Sequence, residues 1–346
     1  MPRVAHPAAA AACRPPRRVV VVVGASLWAL ALAASLTAVV AAADVVELVG
    51  AKEAKSPTRI SGQIVDIREG RLTRRRADGR DDVYPLARVV RWETSWPAGV
   101  DDARRQMRAG RHAEAVELLR TASGRETRAW VKRALVADAI VCFRELGQLQ
   151  RAGELFASLY QGDPQTPHLD VIPLAWTPAP DPSSAWLDAA QRWLAQDESP
   201  ALALLGASWL IAFGQPDRAQ PVLQKLSIHR DSRLALLAEA QRWRILGASA
   251  AESELARWPK VVERLPASLR AGPYFVLGRT LARRGQSELA VLMFLRVPIE
   301  SADQARLAAE SLEAAAAELE QLQRSGEARQ LLRERTARFS FVPVIP

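Results

Sequence analysis

Leu277-Gly278-Arg279-Thr280-Leu281-Ala282-Arg283-Arg284-Gly285, followed by Ala290 and Phe294, is the stretch that decides the fold. Small residues at Gly278 and Ala290 let two helices approach closely, and the bulky Leu281 and Phe294 fill the groove beside them. Gly285 supplies the left-handed cap that reverses the chain within a few residues. The stretch therefore predicts a helix-turn-helix hairpin that turns at Gly285.

The same frame recurs upstream and downstream. Around Gly147 stand Phe143, Ala152 and Phe156, with Pro164 where the second helix should end. Around Gly214 stand Ala207, Leu210, Ala219 and Leu223, and around Gly110 stand Ala103, Ala115, Leu119 and Ala122. Around Gly247 the first helix fits through Ala240 and Trp243, while the second is displaced towards Leu255 and Trp258. A last unit runs from Asp303 to about Phe339: Leu307, Leu312, Leu319 and Leu322 share a long helix, Ser325-Gly326 makes the turn, and Ala328, Leu331 and Leu332 begin the closing helix. The glycines are 37, 67, 33, 38 and 41 residues apart.

This pattern resembles the tetratricopeptide repeat (TPR), whose period is about 34 residues. The resemblance implies an all-α, right-handed α-solenoid of about six helix pairs, built over residues 98–164 and 183–340. It also implies a concave face, formed by the first helix of each pair, that binds a protein or peptide partner. Arg144 and Arg244 each lie three residues before their turn glycine, and Arg279 lies six before its own. These three are the candidate partner-binding residues: not needed for packing, they suit acidic or C-terminal carboxylate groups. Plain solvation of the three is the competing reading.

Residues 165–182 break the frame. Six prolines stand from Asp163 through Pro182, with Leu169, Val171, Ile172, Leu174 and Trp176 among them. Proline removes backbone donors and stops helices, so an extended loop is expected. Its apolar residues need cover, which suggests packing on the helical surface; a simple linker is the alternative. From Ala185 to Leu194 helical spacing resumes with Trp186, Leu187, Trp193 and Leu194.

Before the helices, residues 44–95 read as a small β-domain similar to SH3-like or Sm-like barrels. Val45–Val49, Ile60–Ile67, Leu72–Arg76 and Val83–Trp92 have strand-like composition, punctuated by Gly50, Glu69-Gly70 and Asp78-Gly79. Asp78-Gly79 suits a two-residue turn with positive φ at both positions. Arginines 71, 74, 75, 76 and 80 could meet RNA or an acidic surface, or simply blunt an edge strand.

Residues 1–43 read as a signal peptide or, if uncleaved, an N-terminal membrane anchor. Arg14-Pro15-Pro16-Arg17-Arg18 precedes an uncharged run from Val19 to Ala43, and Ala41-Ala42-Ala43 before Asp44 is an A-x-A cleavage pattern. The chain is thus expected outside the cytoplasm, in the periplasm or cell envelope.

Of the 346 residues, 49% are hydrophobic and 25% charged, as in a folded soluble protein. The formal charge is +9, and removing the four arginines before residue 44 leaves +5. That mild excess argues against nucleic acid as the main partner. No phosphate-cradling glycine loop, H-E-x-x-H, C-x-x-C or G-x-S-x-G pattern occurs. His6, His112, His168 and His229 are scattered without a second ligand at metal spacing, and Cys142 reads as a small buried hydrophobe. No cofactor, metal or catalytic residue is indicated. The function expected is a non-catalytic, exported scaffold or adaptor, the alternatives being a polyanion binder or an enzyme accessory subunit.

Overall fold

The computed structural model describes residues 43–49, 56–179 and 182–342. Residues 1–42, nearly all of the segment 1–43 expected to be a leader, lie outside them, and among the described residues no helix is long and apolar enough to cross a membrane.

Five strands come first: β1 Asp44–Leu48, β2 Thr58–Arg68, β3 Arg71–Arg75, β4 Asp81–Pro85 and β5 Val89–Glu93. They form one antiparallel sheet in the order β4-β3-β2-β1-β5. The expected barrel is not closed: β4 and β5 are the two edges. Asp44, Val46 and Leu48 alternate inward along β1, as the two-residue period of a strand requires. The buried Asp44 carboxylate accepts from Ile64 N and from the Thr94 hydroxyl, both at 2.6 Å.

Three local expectations need correcting. The two-residue turn with both φ values positive is Glu69-Gly70 (φ 52° and 69°), between β2 and β3. At Asp78-Gly79 only the glycine is left-handed, and Arg76 and Arg80 close a wider loop. The run Val83–Trp92 is two strands: Pro85 ends β4, a 3-10 turn covers Leu86–Arg88, and β5 then pairs with β1. Finally, the arginine-rich β3 is interior to the sheet.

Helices follow: α1 Val100–Arg108, α2 His112–Arg125, α3 Ala129–Glu145 and α4 Leu149–Gly162, then, past the proline-rich loop, α5 Ser184–Leu194. Next come α6 Pro200–Ala212, α7 Pro216–Leu226, α8 Ser232–Leu246, α9 Glu252–Leu255 and α10 Trp258–Glu263. The chain closes with α11 Ala271–Arg283, α12 Ser287–Glu300, α13 Ala305–Gln321 and α14 Ser325–Arg338. The sheet shares a core with the first helices, where Val46, Ile64 and Leu72 meet Val100, Leu119 and Trp130. Trp130 Nε1 also donates to Ile64 O (3.2 Å).

The glycine frame sets the hairpins. Gly110, Gly147, Gly214, Gly247 and Gly285 all have positive φ, between 54° and 74°. In four of these turns the next residue donates back to a carbonyl five positions earlier, as in Gln148 N to Phe143 O (2.9 Å) and Gln286 N to Leu281 O (3.0 Å). This bond belongs to the Schellman cap and satisfies an orphan helix carbonyl. Five residues past the glycine stand Ala115, Ala152, Ala219 and Ala290, each fully buried. In the last unit Gln323 (φ 60°) holds the left-handed position, and Arg324 N returns to Leu319 O (2.9 Å). Ser325-Gly326 therefore does not make the turn; it lies in the first turn of α14. Ala328, five past Gln323, is the buried alanine of that hairpin.

Helices α6, α8, α11 and α13 touch one another in succession, with α7 against α6 and α8 and α12 against α11 and α13. The ends of the helical array also meet. The Arg306 N–H, unsatisfied at the start of α13, donates to the buried Glu145 carboxylate at the end of α3 (2.9 Å). Phe341 lies against Gly110 and, at 5.9 Å between ring centroids, against His112.

Candidate functional site

Proline decides the geometry of the site before any contact is made. With Pro164, Pro167, Pro173 and Pro178 in place, residues 163–179 cannot continue α4, and they form a single 3-10 turn at Leu169–Val171. The loop packs on the helices, as its apolar content suggested: Leu169, Ile172, Leu174 and Ala175 are buried in the main core.

Its backbone polar groups still need partners, and the helices supply them. Trp209 Nε1 on α6 donates to Pro173 O (3.1 Å), and the Ser208 hydroxyl accepts from Ala175 N (2.6 Å). From α8, Gln241 Nε2 and the Arg244 guanidinium donate to Ala175 O at 3.0 and 2.8 Å. Arg244 also reaches Ser208 O (3.0 Å) and Thr177 O (3.3 Å). Trp176 sits on Gly272 of α11 so closely that any Cβ there would fall within its indole. A six-residue segment that is neither helix nor strand, Ile172–Thr177, is thus gripped through its main chain by side chains of α6 and α8.

Two cavities flank this segment. The first, about 290 Å³, lies against α3, α11 and α13, with Arg144, Leu149, Asp170, Trp186, Leu307 and Glu310 on its wall. Burial pushes the Glu310 carboxyl up, against the pull of Arg306. The second, about 140 Å³, lies between α8 and α11 beside Trp176 and Pro178.

The three candidate arginines divide between the cavities. Arg144 is on the first, its Nε donating to Glu145 Oε1 (3.1 Å). Arg244 and Arg279 are on the second, so the structure brings these two together and leaves Arg144 apart. Arg244 departs from the expectation that none serves packing, because its donors hold the loop. Burial first, and then Arg279, pull its pKa down to about 9. Three residues of the loop grip, Ser208, Trp209 and Gln241, were not singled out for this role by sequence; Trp209 read as core only. Arg283, on the second cavity, was also missed, although its position four residues from Arg279 puts both on one helix face.

Cys142 is buried, and desolvation pushes its thiol up to about 12. Among the described residues no group of three or more His, Cys, Asp or Glu could hold a metal. Of the arginine-rich segment, Arg71 pairs with Glu69 (2.7 Å), Arg75 with Asp81 (2.8 Å), and Arg74 and Arg76 with Asp82. Its charge is largely neutralised within the sheet. No family model matches the chain, and no curated protein matches it significantly.

Proposed function

We propose that this chain is an exported, non-catalytic scaffold of helical hairpins, TPR-like in kind and wound as a right-handed solenoid, that holds an extended segment of a partner polypeptide. One observation carries the reading: α6 and α8 already grip a non-helical segment, Ile172–Thr177, through its backbone carbonyls and amide. A main-chain grip is largely indifferent to side-chain identity, which suits recognition of a peptide in extended form. The partner enters at the larger cavity, beside the loop, where Arg144 meets an acidic group and Leu149, Trp186 and Leu307 cover apolar side chains.

Site-specific photo-crosslinking in the source cells tests this. A photoreactive phenylalanine analogue at Leu307, on the cavity wall, should give an adduct of discrete polypeptide mass. The same analogue at Leu292, exposed on α12, should give none. No adduct from position 307, or the same adduct from both positions, would sink the proposal. Export is checked on the same material: intact mass should place the mature N-terminus at or near Asp44.

A further inference from the structure

The smaller cavity, between α8 and α11, is lined by three arginines, Arg244, Arg279 and Arg283, together with Trp176, Trp243 and Thr280. Among the described residues no carboxylate lies on this wall, and none of the three guanidiniums has an acidic partner within ion-pairing distance. By contrast, Arg75, Arg128, Arg233 and Arg335 each face a carboxylate at 2.7–2.8 Å. We propose that this cavity binds a compact tetrahedral dianion, a phosphate or sulfate group.

The stoichiometry of charge and donors leads there. Three like charges around about 140 Å³ repel one another, and a dianion cancels most of that repulsion. A single carboxylate would leave two cations uncompensated. The guanidinium of Arg244 is committed to Ala175 O, Ser208 O, Thr177 O and Gln241 Oε1, so it acts as a fixed charge at the back of the site. Arg279 and Arg283, four residues apart on α11, are the direct donors. The buried Trp243 Nε1–H, on a residue of the same wall, has no acceptor among the described residues. The Thr280 hydroxyl proton is taken by Val276 O (3.0 Å). The unused capacity belongs to donors, which calls for a ligand made of acceptors. Burial and the neighbouring Arg283 pull the Arg279 pKa down, and the Glu310 carboxylate, beyond ion-pairing distance, offsets this only in part. The inference stands independently of the polypeptide reading.

The test uses the full chain in buffers of equal ionic strength. Phosphate and sulfate should each give a saturable rise in Tm, on the order of 5 °C at a hundredfold excess over Kd, and acetate should give none. Arg279→Gln/Arg283→Gln should weaken phosphate binding at least tenfold, while Arg333→Gln, at an exposed position on α14, leaves it unchanged. Without either anion, the double variant should melt at or above the wild-type temperature, because it relieves repulsion. Should that variant fail to fold, phenylglyoxal labelling of the wild type keeps the test open: phosphate should protect Arg279 and Arg283 but not Arg333. O-phosphoserine binding as tightly as phosphate would identify an ester-borne group as the ligand; binding of the inorganic ions alone would identify a free oxyanion. Acetate matching sulfate, an unsaturable response, or a double variant that binds like wild type would each overturn the proposal.

Discussion

The hairpins at Gly285 and Gly247 share a positive-φ glycine and then diverge. Both glycines follow a long helix, at φ 71° and 54°, but Gly247, with ψ at −137°, lacks among the described residues the return bond that Gln286 N makes to Leu281 O. After Gly285 one helix of fourteen residues follows, and Phe294 packs on Gly278. After Gly247 the chain makes a 3-10 turn and then two short helices, α9 and α10. The residue five past Gly285 is the buried Ala290; the residue five past Gly247 is Glu252, whose exposed carboxylate meets Arg284 (2.6 Å). A charged side chain does not suit the seam between two close helices, and here the chain returns through two short helices instead. Trp258 then takes the place of Phe294, stacking on Trp243 with centroids 4.5 Å apart and planes within 9°. A positive-φ glycine is common to both hairpins, and the buried alanine five residues later is found only in the regular one.

The largest expected effects test whether the two routes are equivalent. Phe294→Ala and Trp258→Ala should each cost about 3–5 kcal/mol, since both side chains are fully buried. Urea titration reads both, and a loss below about 1 kcal/mol at Trp258 would break the comparison.

Next comes the seam itself. Ala290→Leu should cost about 1–3 kcal/mol by overpacking against α11. Thermal melting with a wild-type Tm would show that α11 and α12 do not need the small residue.

The turn positions follow. Gly285→Val should destabilise by roughly 1 kcal/mol or more, because a β-branched residue tolerates left-handed backbone poorly. Gly326→Ala should instead be neutral or slightly stabilising, as that glycine lies within a helix, and Gln323→Gly should stabilise by up to about 1 kcal/mol. Equal losses at Gly285 and Gly326 would return the turn to Ser325-Gly326.

The smallest effect belongs to the irregular hairpin. Glu252→Ala removes an exposed ion pair and should change stability by less than about 0.5 kcal/mol. A gain above 1 kcal/mol would mean that the glutamate alone prevents the regular form.

Local chemistry was legible and long-range chemistry was not. The positive-φ glycines and their alanines are properties of a few neighbouring residues; the glycines were read correctly five times and the buried alanines four. The sixth turn was misplaced because Gly326 drew attention away from Ala328, which points back to Gln323. Asp78-Gly79 and Glu69-Gly70 were both visible as turns, but strand register, a non-local property, decided which is the two-residue turn. The open sheet edges likewise depend on pairing that no single strand encodes. The arginines show the limit most clearly: Arg244 is committed to carbonyls 36 to 69 residues away, so its sequence neighbours could not reveal it.

The contacts of Arg306 with Glu145 and of Phe341 with Gly110 constrain how this architecture can grow. An array with two free ends lengthens by copying a hairpin, and it frays from either terminus at little cost. Here the first turns and the last helices are clasped. A duplicated or deleted hairpin would move Arg306 away from Glu145 by the full width of a repeat. Hairpin number is therefore a fixed quantity in this chain, and the terminal hairpins should exchange their amide hydrogens as slowly as the middle ones.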